Sequence, residues 1–386
     1  MSYQPPVAAP LPFSALLAGA RGIWWDGDDR ERLRRWLVER HGVADALLTD
    51  SGTGALTLAL TACLRERPGL VALPAYACYD LATALVGAGG RCAFYDLDPA
   101  TLAPDPESLK RAVALGARTV VIVDLYGFPV DIAALGLPPD ALVVDDAAQG
   151  VGATLRGRPL GAGGALGVLS FGRGKGMTAG AGGALLAATA HGAALLASVR
   201  GTLHAPARGV RPFVALKAQW LLGRPGLYGL AAGMPFLHLG ETRYHDPGPV
   251  RELSAAGAAV LSVTSRLADE DTEVRRAHAR RLLGSLGPGA RCTAVRPAAG
   301  AEPGYLRLPV LRPEPDRRAV AAAAPLGIQP GYPAPLPDLP ALRDRSVNGS
   351  QGFPGAATLT ARLCTLPTHR FLSERDLLRL EAWLAG

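Results

Sequence analysis

The stretch Ala141–Gln149 reads ALVVDDAAQ. Four apolar residues run without alternation and end on two aspartates, the pattern of a strand buried on both faces whose acids mark its end. Arg118–Gly127, RTVVIVDLYG, has the same form. Working outward, strand-like runs alternate with helical patterns from about residue 43 to 185. ALLTDSGTGALTLALTACLRE (46–66) reads as strand end, loop and helix, GLVALPAY (69–76) as a strand and YDLATALVGAGG (79–90) as a helix. RCAFYDLD (91–98) is a strand, and PESLKRAVALGA (106–117) is a helix opened by Pro106. ALGVLSFG (165–172) and GGALLAAT (182–189) add two strands. Strands alternating with helices predict an α/β fold, a mostly parallel central sheet with helices on both faces. Ligands of such sheets lie at the carboxyl ends of the strands. The polar residues fall there: Ser51-Gly52-Thr53, Pro74-Ala75-Tyr76, Asp145-Asp146 and Ser170 onward.

The chain has 386 residues, 49% hydrophobic and 19% charged, enough to bury a large core and to form two domains. Residues 1–250 read as the large domain and 251–386 as a smaller C-terminal α/β domain, with strand-like YLRLPVL (305–311) and a final helix SERDLLRLEAWLA (373–385). Between them, 205–250 is an apolar insert broken by Pro225 and Pro235. It reads as a buried interface segment, with a helix on a membrane surface as the alternative. Five widely spaced cysteines without a CxxC pair exclude a zinc or disulfide framework. The start lacks a basic segment and is broken by prolines, and no run of 18 apolar residues occurs, so a cytoplasmic protein is expected. The net charge of +7 gathers in DDRERLRRWLVER (28–40) and RRAHARRLL (275–283). Apolar residues at helical spacing make these solvated helix faces in preference to a nucleic-acid surface. A basic surface also suits an anionic small substrate.

Lysine occurs three times among 40 basic residues, at Lys110, Lys175 and Lys217. Lys175 lies in SFGRGKGMTAGAGG (170–183), a run of glycine and small residues. Arginine keeps its proton, whereas a lysine amine can be freed and can form a Schiff base with a carbonyl. The flanking glycines let backbone approach a bound cofactor. The bland alternative is a surface lysine in a loop. Asp146, at a strand end, can pair with the ring nitrogen of pyridoxal phosphate. Successive strand residues face opposite ways, so one of Asp145 and Asp146 faces the cofactor. Either could equally be a strand-end cap. SGTGAL (51–56) stands at a strand-to-helix junction, where backbone N–H groups and the Thr53 hydroxyl could hold a phosphate, with Ser170 adding a hydroxyl. Ordinary helix capping gives the same residues.

In this order the blocks resemble the DegT/DnrJ/EryC1/StrS sugar aminotransferases, pyridoxal-phosphate enzymes of transferase fold type I. SGTGAL, LPAY (73–76), YDLDPATLAPDPESL (95–109), DLYGFPVDI (124–132), DDAAQGVGATLRGRPLG (145–161), LSFGRGKGMTAGAGGALL (169–186) and LCTLPTHRFLSERDL (363–377) carry the resemblance. It implies that Lys175 forms the Schiff base and carries the proton between substrate and cofactor, and that Asp146 holds the pyridinium nitrogen. Gln149 would lie near the ring, and Gly52, Thr53 and Ser170 would bind the phosphate. The ring-stacking aromatic of the family falls at Cys78, followed by Tyr79, and either could face the ring. A homodimer is implied, with an amino acid such as glutamate as donor and a keto-sugar, nucleotide-linked in many members, as acceptor.

Three departures separate the chain from that pattern. The neighbouring-subunit asparagine that touches the phosphate has no counterpart, since the single asparagine is Asn348. Arg243, Tyr244, His245 or Arg251 are candidates to replace it. The acid of the glycine run after the lysine is absent, and the late His-Tyr-Pro block reads Gly331-Tyr332-Pro333. A divergent subgroup with its own acceptor is expected. The rival readings are a sugar dehydratase using the same cofactor, and a non-catalytic cofactor-binding or membrane-surface partner. No metal and no nucleic acid is expected.

Overall fold

The computed structural model describes residues 3–25, 27–207, 209–232, 242–287, 290–315 and 317–385. Seven strands form the central sheet: β1 (Asp45–Thr49), β2 (Leu70–Pro74), β3 (Arg91–Tyr95), β4 (Ala117–Val123), β5 (Leu142–Asp146), β6 (Leu166–Ser170) and β7 (Gly183–Ala187). Their spatial order is β1-β7-β6-β5-β4-β2-β3. All run parallel except β7, which is antiparallel to both β1 and β6. Ser170 pairs with Gly183, so the chain leaves β6, makes the lysine loop and returns beside the same strand. Lys175 is thereby carried at the carboxyl end of the sheet.

Alternation along the strands divides the core in two. Leu47, Val168, Leu185 and Ala187 face one cluster, with Ala55, Leu56 and Leu60 of the helix Gly52–Glu66 and Leu195, Leu196 and Val199 of the helix Ala190–Arg200. Ala46, Leu48, Leu169, Ala184 and Leu186 face the other, with Leu16, Leu33, Leu37 and Leu261 from the helices Phe13–Trp24, Asp29–His41 and Ala255–Thr264. Each fully buried leucine contributes about 1.5–3 kcal/mol. The helices begin on side-chain caps where the loops supply them. Ser51 accepts from Gly54 N at 3.0 Å, and Asp105 accepts from Ser108 N at 2.7 Å ahead of Pro106.

A second sheet is wholly antiparallel. Its strands β8 (Thr293–Ala294), β9 (Leu308–Leu311), β10 (Gln329–Pro330) and β11 (Leu363–Leu366) lie in the order β8-β9-β11-β10. The helix Ala255–Thr264 follows the expected boundary at residue 250. Ala255–Thr264 packs on the two N-terminal helices because its alanines allow close approach; a Cβ on Gly22 would sit 2.8 Å from Ala256 Cα. The N-terminal residues reach across to the other end of the chain. Gln4 Nε2 donates to Asp376 Oδ2 at 2.8 Å, and His369 Nε2 lies 2.8 Å from Pro5 O, so the N-terminal segment docks on the C-terminal part. Residues 205–250 form two helices, Val210–Leu222 and Pro225–Ala232, before residues outside the description. Phe213 and Leu216 are buried while Val210, Val214 and Leu221 are exposed. Among the described residues no helix is long and apolar enough to cross a membrane.

The arginine clusters are mostly paired at the surface. Arg34 bonds Glu31 and Asp45, and Arg281 bonds Glu374 and Glu381. Arg275 departs from the expected solvated face: it is 1% exposed. Its Nη1 lies 3.2 Å from Asp271 Oδ2, Nε donates to Gly304 O at 3.1 Å, and Nη2 donates to Val151 O at 3.2 Å and Thr272 Oγ1 at 2.8 Å. Removing one partner of a buried pair leaves the others unsatisfied. Arg275→Ala should therefore lower unfolding stability by roughly 3 kcal/mol, read as a shift of the urea midpoint.

His369 gives a pH dependence. Its Nδ1 accepts from Phe371 N at 3.2 Å, which leaves Nε2–H to donate to Pro5 O, so the ring is held neutral. Burial pushes its pKa down to about 4, from 6.5. Between those values the unfolded chain binds the extra proton, so this contribution is lost as pH falls from 6.5 toward 4, by up to roughly 3 kcal/mol. His41 is shifted the same way by burial, to about 4. Urea titrations across that range should show the slope, and His369→Gln should reduce it.

Candidate active site

The two aspartates at the end of β5 part as the strand pattern requires. Asp145 turns to the β6 side, where Oδ2 accepts from Gly161 N and Gly163 N, both at 2.9 Å. Its other oxygen faces Asp124, and neither that oxygen nor Asp124 Oδ2 has another partner. Burial and the neighbouring Asp145 carboxylate raise the Asp124 carboxyl far above the usual range. The proton thus sits on Asp124 and is donated to Asp145. Asp146 is 4% exposed and accepts one bond, from Ala148 N to Oδ1 at 3.1 Å. Burial raises its pKa to about 6, against the pull of the Ala148 N–H and of the nearby Lys175 ammonium.

Lys175 opens on a cavity of about 720 Å³. Gln149, Cys78 and Asp80 line it as well. Gln149 is fixed at both ends: Oε1 accepts from Tyr126 N at 2.9 Å and Nε2 donates to Tyr332 Oη at 2.9 Å. Tyr126 has φ 58°, a left-handed conformation uncommon for a side-chain-bearing residue, and its ring stacks on Tyr332 at 6.2 Å. Of the two residues after the LPAY block, Cys78 faces the cavity. Tyr79 turns away, its hydroxyl accepting from Ala334 N at 3.0 Å and donating to Ala334 O at 3.2 Å. The Cys78 thiol donates to Asp80 Oδ2 at 3.4 Å, and burial pushes its pKa up to about 12. It forms a neutral wall, since burial favours the protonated thiol.

Gly52 and Ser170 meet at the carboxyl end of β6, and neither they nor Thr53 and Asp146 are among the residues that line the cavity. A Cβ on Gly52 would lie 2.6 Å from the Ser170 Cβ and 2.8 Å from its Oγ, so only glycine lets the first turn of Gly52–Glu66 reach the serine. Thr53 is the next residue of that turn. The segment that carries the four candidate replacements for the missing asparagine runs along the same helices. Thr83 Oγ1 donates to His245 O at 2.7 Å, and Asp50 N donates to Arg251 O at 2.9 Å. The Arg251 backbone is thus held next to Asp50 within this chain, and its Nη1 donates to Ala205 O at 3.3 Å. Asn348 is far from the loop: its amide bonds Phe94 N and O at 2.8 and 2.9 Å.

These residues fit pyridoxal phosphate on the structure's own terms. Asp146 is a buried carboxylate short of a cationic partner, Gln149 and Cys78 supply a fixed wall, and Gly52 with Ser170 leaves a helix N-terminus and a hydroxyl side by side. The cavity also takes Pro5–Pro12 and Arg307, which sequence patterns did not flag. They come from far along the chain, and no local spacing marks them. Among the described residues no cluster could hold a metal ion. A smaller cavity of about 400 Å³ lies apart from Lys175, and its Arg40, Asp269 and Arg276 are already in ion pairs.

Comparison with known proteins agrees with this arrangement. The model of the DegT/DnrJ/EryC1/StrS aminotransferase family matches residues 15–381. The chain is 32% identical over 311 residues to the L-glutamine:2-deoxy-scyllo-inosose aminotransferase of Streptomyces fradiae, covering 78% of this chain and 66% of that protein. It is 34% identical over 176 residues to the 3-amino-5-hydroxybenzoate synthase of Amycolatopsis mediterranei, covering 43% and 44%. The chain thus aligns to less than two thirds of the length of these curated relatives. The fold is that of AtS13 from Actinomadura melliaura, with TM-score 0.77 at 21% identity, covering 100% of this chain and 99% of that one. With its sheet, lysine loop and strand-end aspartate in place, the chain belongs to the DegT/DnrJ/EryC1/StrS aminotransferase family.

Proposed function

We propose that the protein is a pyridoxal-phosphate-dependent aminotransferase that moves an amino group from an amino acid, glutamate or glutamine, to the ketone of a sugar or cyclitol. The observation that carries this reading is the meeting of Lys175 and Gln149 on one cavity, with the buried Asp146 carboxyl in the field of Lys175. The names of the relatives support the donor and the polyol acceptor. The retained lysine argues against the dehydratase alternative, which resembles family members that replace it, and the paired, cavity-facing polar groups argue against a non-catalytic partner. When bound, the cofactor supplies an electron sink for the carbon that loses or gains the amine. Lys175 provides the amine that anchors it and then accepts and returns the proton at Nζ. Asp146 holds the proton on the ring nitrogen, and Gln149 keeps the ring wall in place. Gly52, Thr53 and Ser170 hold the phosphate, with Arg251 replacing a neighbouring asparagine. A homodimer in the cytoplasm completes this proposal.

Lys175→Ala should lower turnover at least 10³-fold while leaving the melting temperature within a few degrees of wild type, checked by single-turnover absorbance and calorimetry. Turnover at the wild-type rate would sink the assignment. Asp146→Asn should weaken cofactor binding about tenfold or more in a fluorescence titration. With the wild-type carboxyl near 6, binding should weaken as pH falls through that value, because protonation removes the anion the ring nitrogen needs. That dependence should vanish in the variant.

A further inference from the structure

The cavity is unevenly charged. Asp80 is its one lining acid among the described residues, against the cations Arg173, Lys175, Arg224, Arg307 and Arg370. Two of these are engaged and a third is exposed. Arg370 Nε lies 3.0 Å from Asp271 Oδ1 and its Nη2 lies 2.9 Å from Glu270 Oε1, Arg224 sits 4.2 Å over the Trp220 ring, and Arg173 is exposed on the lysine loop. Arg307 differs. It is half-buried, its Nη1 makes one long bond of 3.4 Å to the neutral Gln329 Oε1, and its buried Nε has no acceptor. It enters the cavity just ahead of β9, beside Leu306, whose N–H donates to Tyr126 O at 3.2 Å. Tyr126 is the residue whose N–H is held by Gln149. Arg307 therefore belongs to the hydrogen-bonded wall that faces the lysine.

A guanidinium in this position lacks an anion. Its planar fork matches a carboxylate, which accepts two parallel N–H bonds. The two substrates of the proposed reaction differ in this respect. An amino-acid donor carries a carboxylate one carbon from its amine, whereas a polyol ketone carries none. We infer that Arg307 binds the α-carboxylate of the amino donor and so sets which amines the enzyme accepts. This rests on the aminotransferase reading above. It also gives the cavity its two phases: the donor is held by charge at Arg307, and the polyol acceptor that follows leaves the arginine to Gln329 and water.

The test uses the cofactor-loaded protein and follows the absorbance change of the donor half-reaction with L-glutamine and with L-glutamine α-amide, which lacks the carboxylate charge. In the wild type, amidation should raise the apparent dissociation constant about 10- to 100-fold. Arg307→Gln should show that same loss with L-glutamine and little further loss with the amide, because the two changes remove one interaction. Arg307→Lys should recover part of the affinity by keeping the charge without the fork. The acceptor KM and the cofactor affinity should stay within about twofold, which separates a lost carboxylate contact from a disturbed fold. If Arg307→Gln still discriminates against the amide as the wild type does, the inference is overturned. It is equally overturned if the acceptor KM rises while the donor constant does not, since Arg307 would then read the acceptor. If either variant fails to bind cofactor, the other carries the comparison. A wild type that binds cofactor but gives no donor-dependent change overturns the aminotransferase reading, and this inference with it.

Discussion

The structure turns on a buried guanidinium. Arg275 reaches from the helix Ala268–Gly284 to the carbonyls of Val151 and Gly304 and closes against Gly176, where a Cβ would lie 2.8 Å from Nη1. It thus joins the turn after the aspartate pair, the approach to β9 and the residue following Lys175. An ion pair of this kind adds little net stability, because desolvation offsets attraction. Its effect is positional. The donors of Arg275 are directional and the space around them is filled, so the lysine loop has one seat. The glycine after the lysine is explained by this packing as much as by access for a cofactor.

A second constraint is the alternation at the end of β5. Neighbouring carboxyls are placed in opposite environments by the pleat. Asp145 becomes a structural acceptor for two loop amides and for the proton on Asp124. Asp146 is left with one amide and the field of Lys175. The proton on Asp124 limits the pair Asp124–Asp145 to one negative charge, and that charge on Asp145 helps raise the Asp146 carboxyl. Asp124 N also donates to Asp146 O at 3.1 Å, so the acid that holds the proton braces the strand end that carries the other.

How much of this was legible depends on the range of the signal. The seven strands were readable because burial on both faces writes itself as a continuous apolar run. Lys175 was readable because a scarce residue type sat among glycines, and Asp146 because it closed such a run. The sequence left Cys78 and Tyr79 open, and the hydroxyl bonds of Tyr79 to Ala334, 255 positions away, decide between them. Arg275 was misread as a surface cation, since helical spacing does not reveal what packs above a helix. Arg307 and the proline-rich start were silent, because their roles come from where the chain folds back and not from their neighbours. The packing of alanine-rich Ala255–Thr264 was silent for the same reason, since it carries no mark of the helices it packs on.

The N-terminal segment has a consequence for the order in which the protein can become whole. Pro5–Pro12 forms a wall of the cavity, yet its anchors are His369 and Asp376. A ribosome releases the first of these residues more than 350 positions before the last. The central sheet can be completed once β7 has emerged, but the wall must wait with its residues unplaced until His369 and Asp376 have followed. The pocket therefore closes after the sheet that carries the lysine loop. A nascent or truncated form ending before His369 would hold the lysine and the aspartate in place beside a pocket still open on one side.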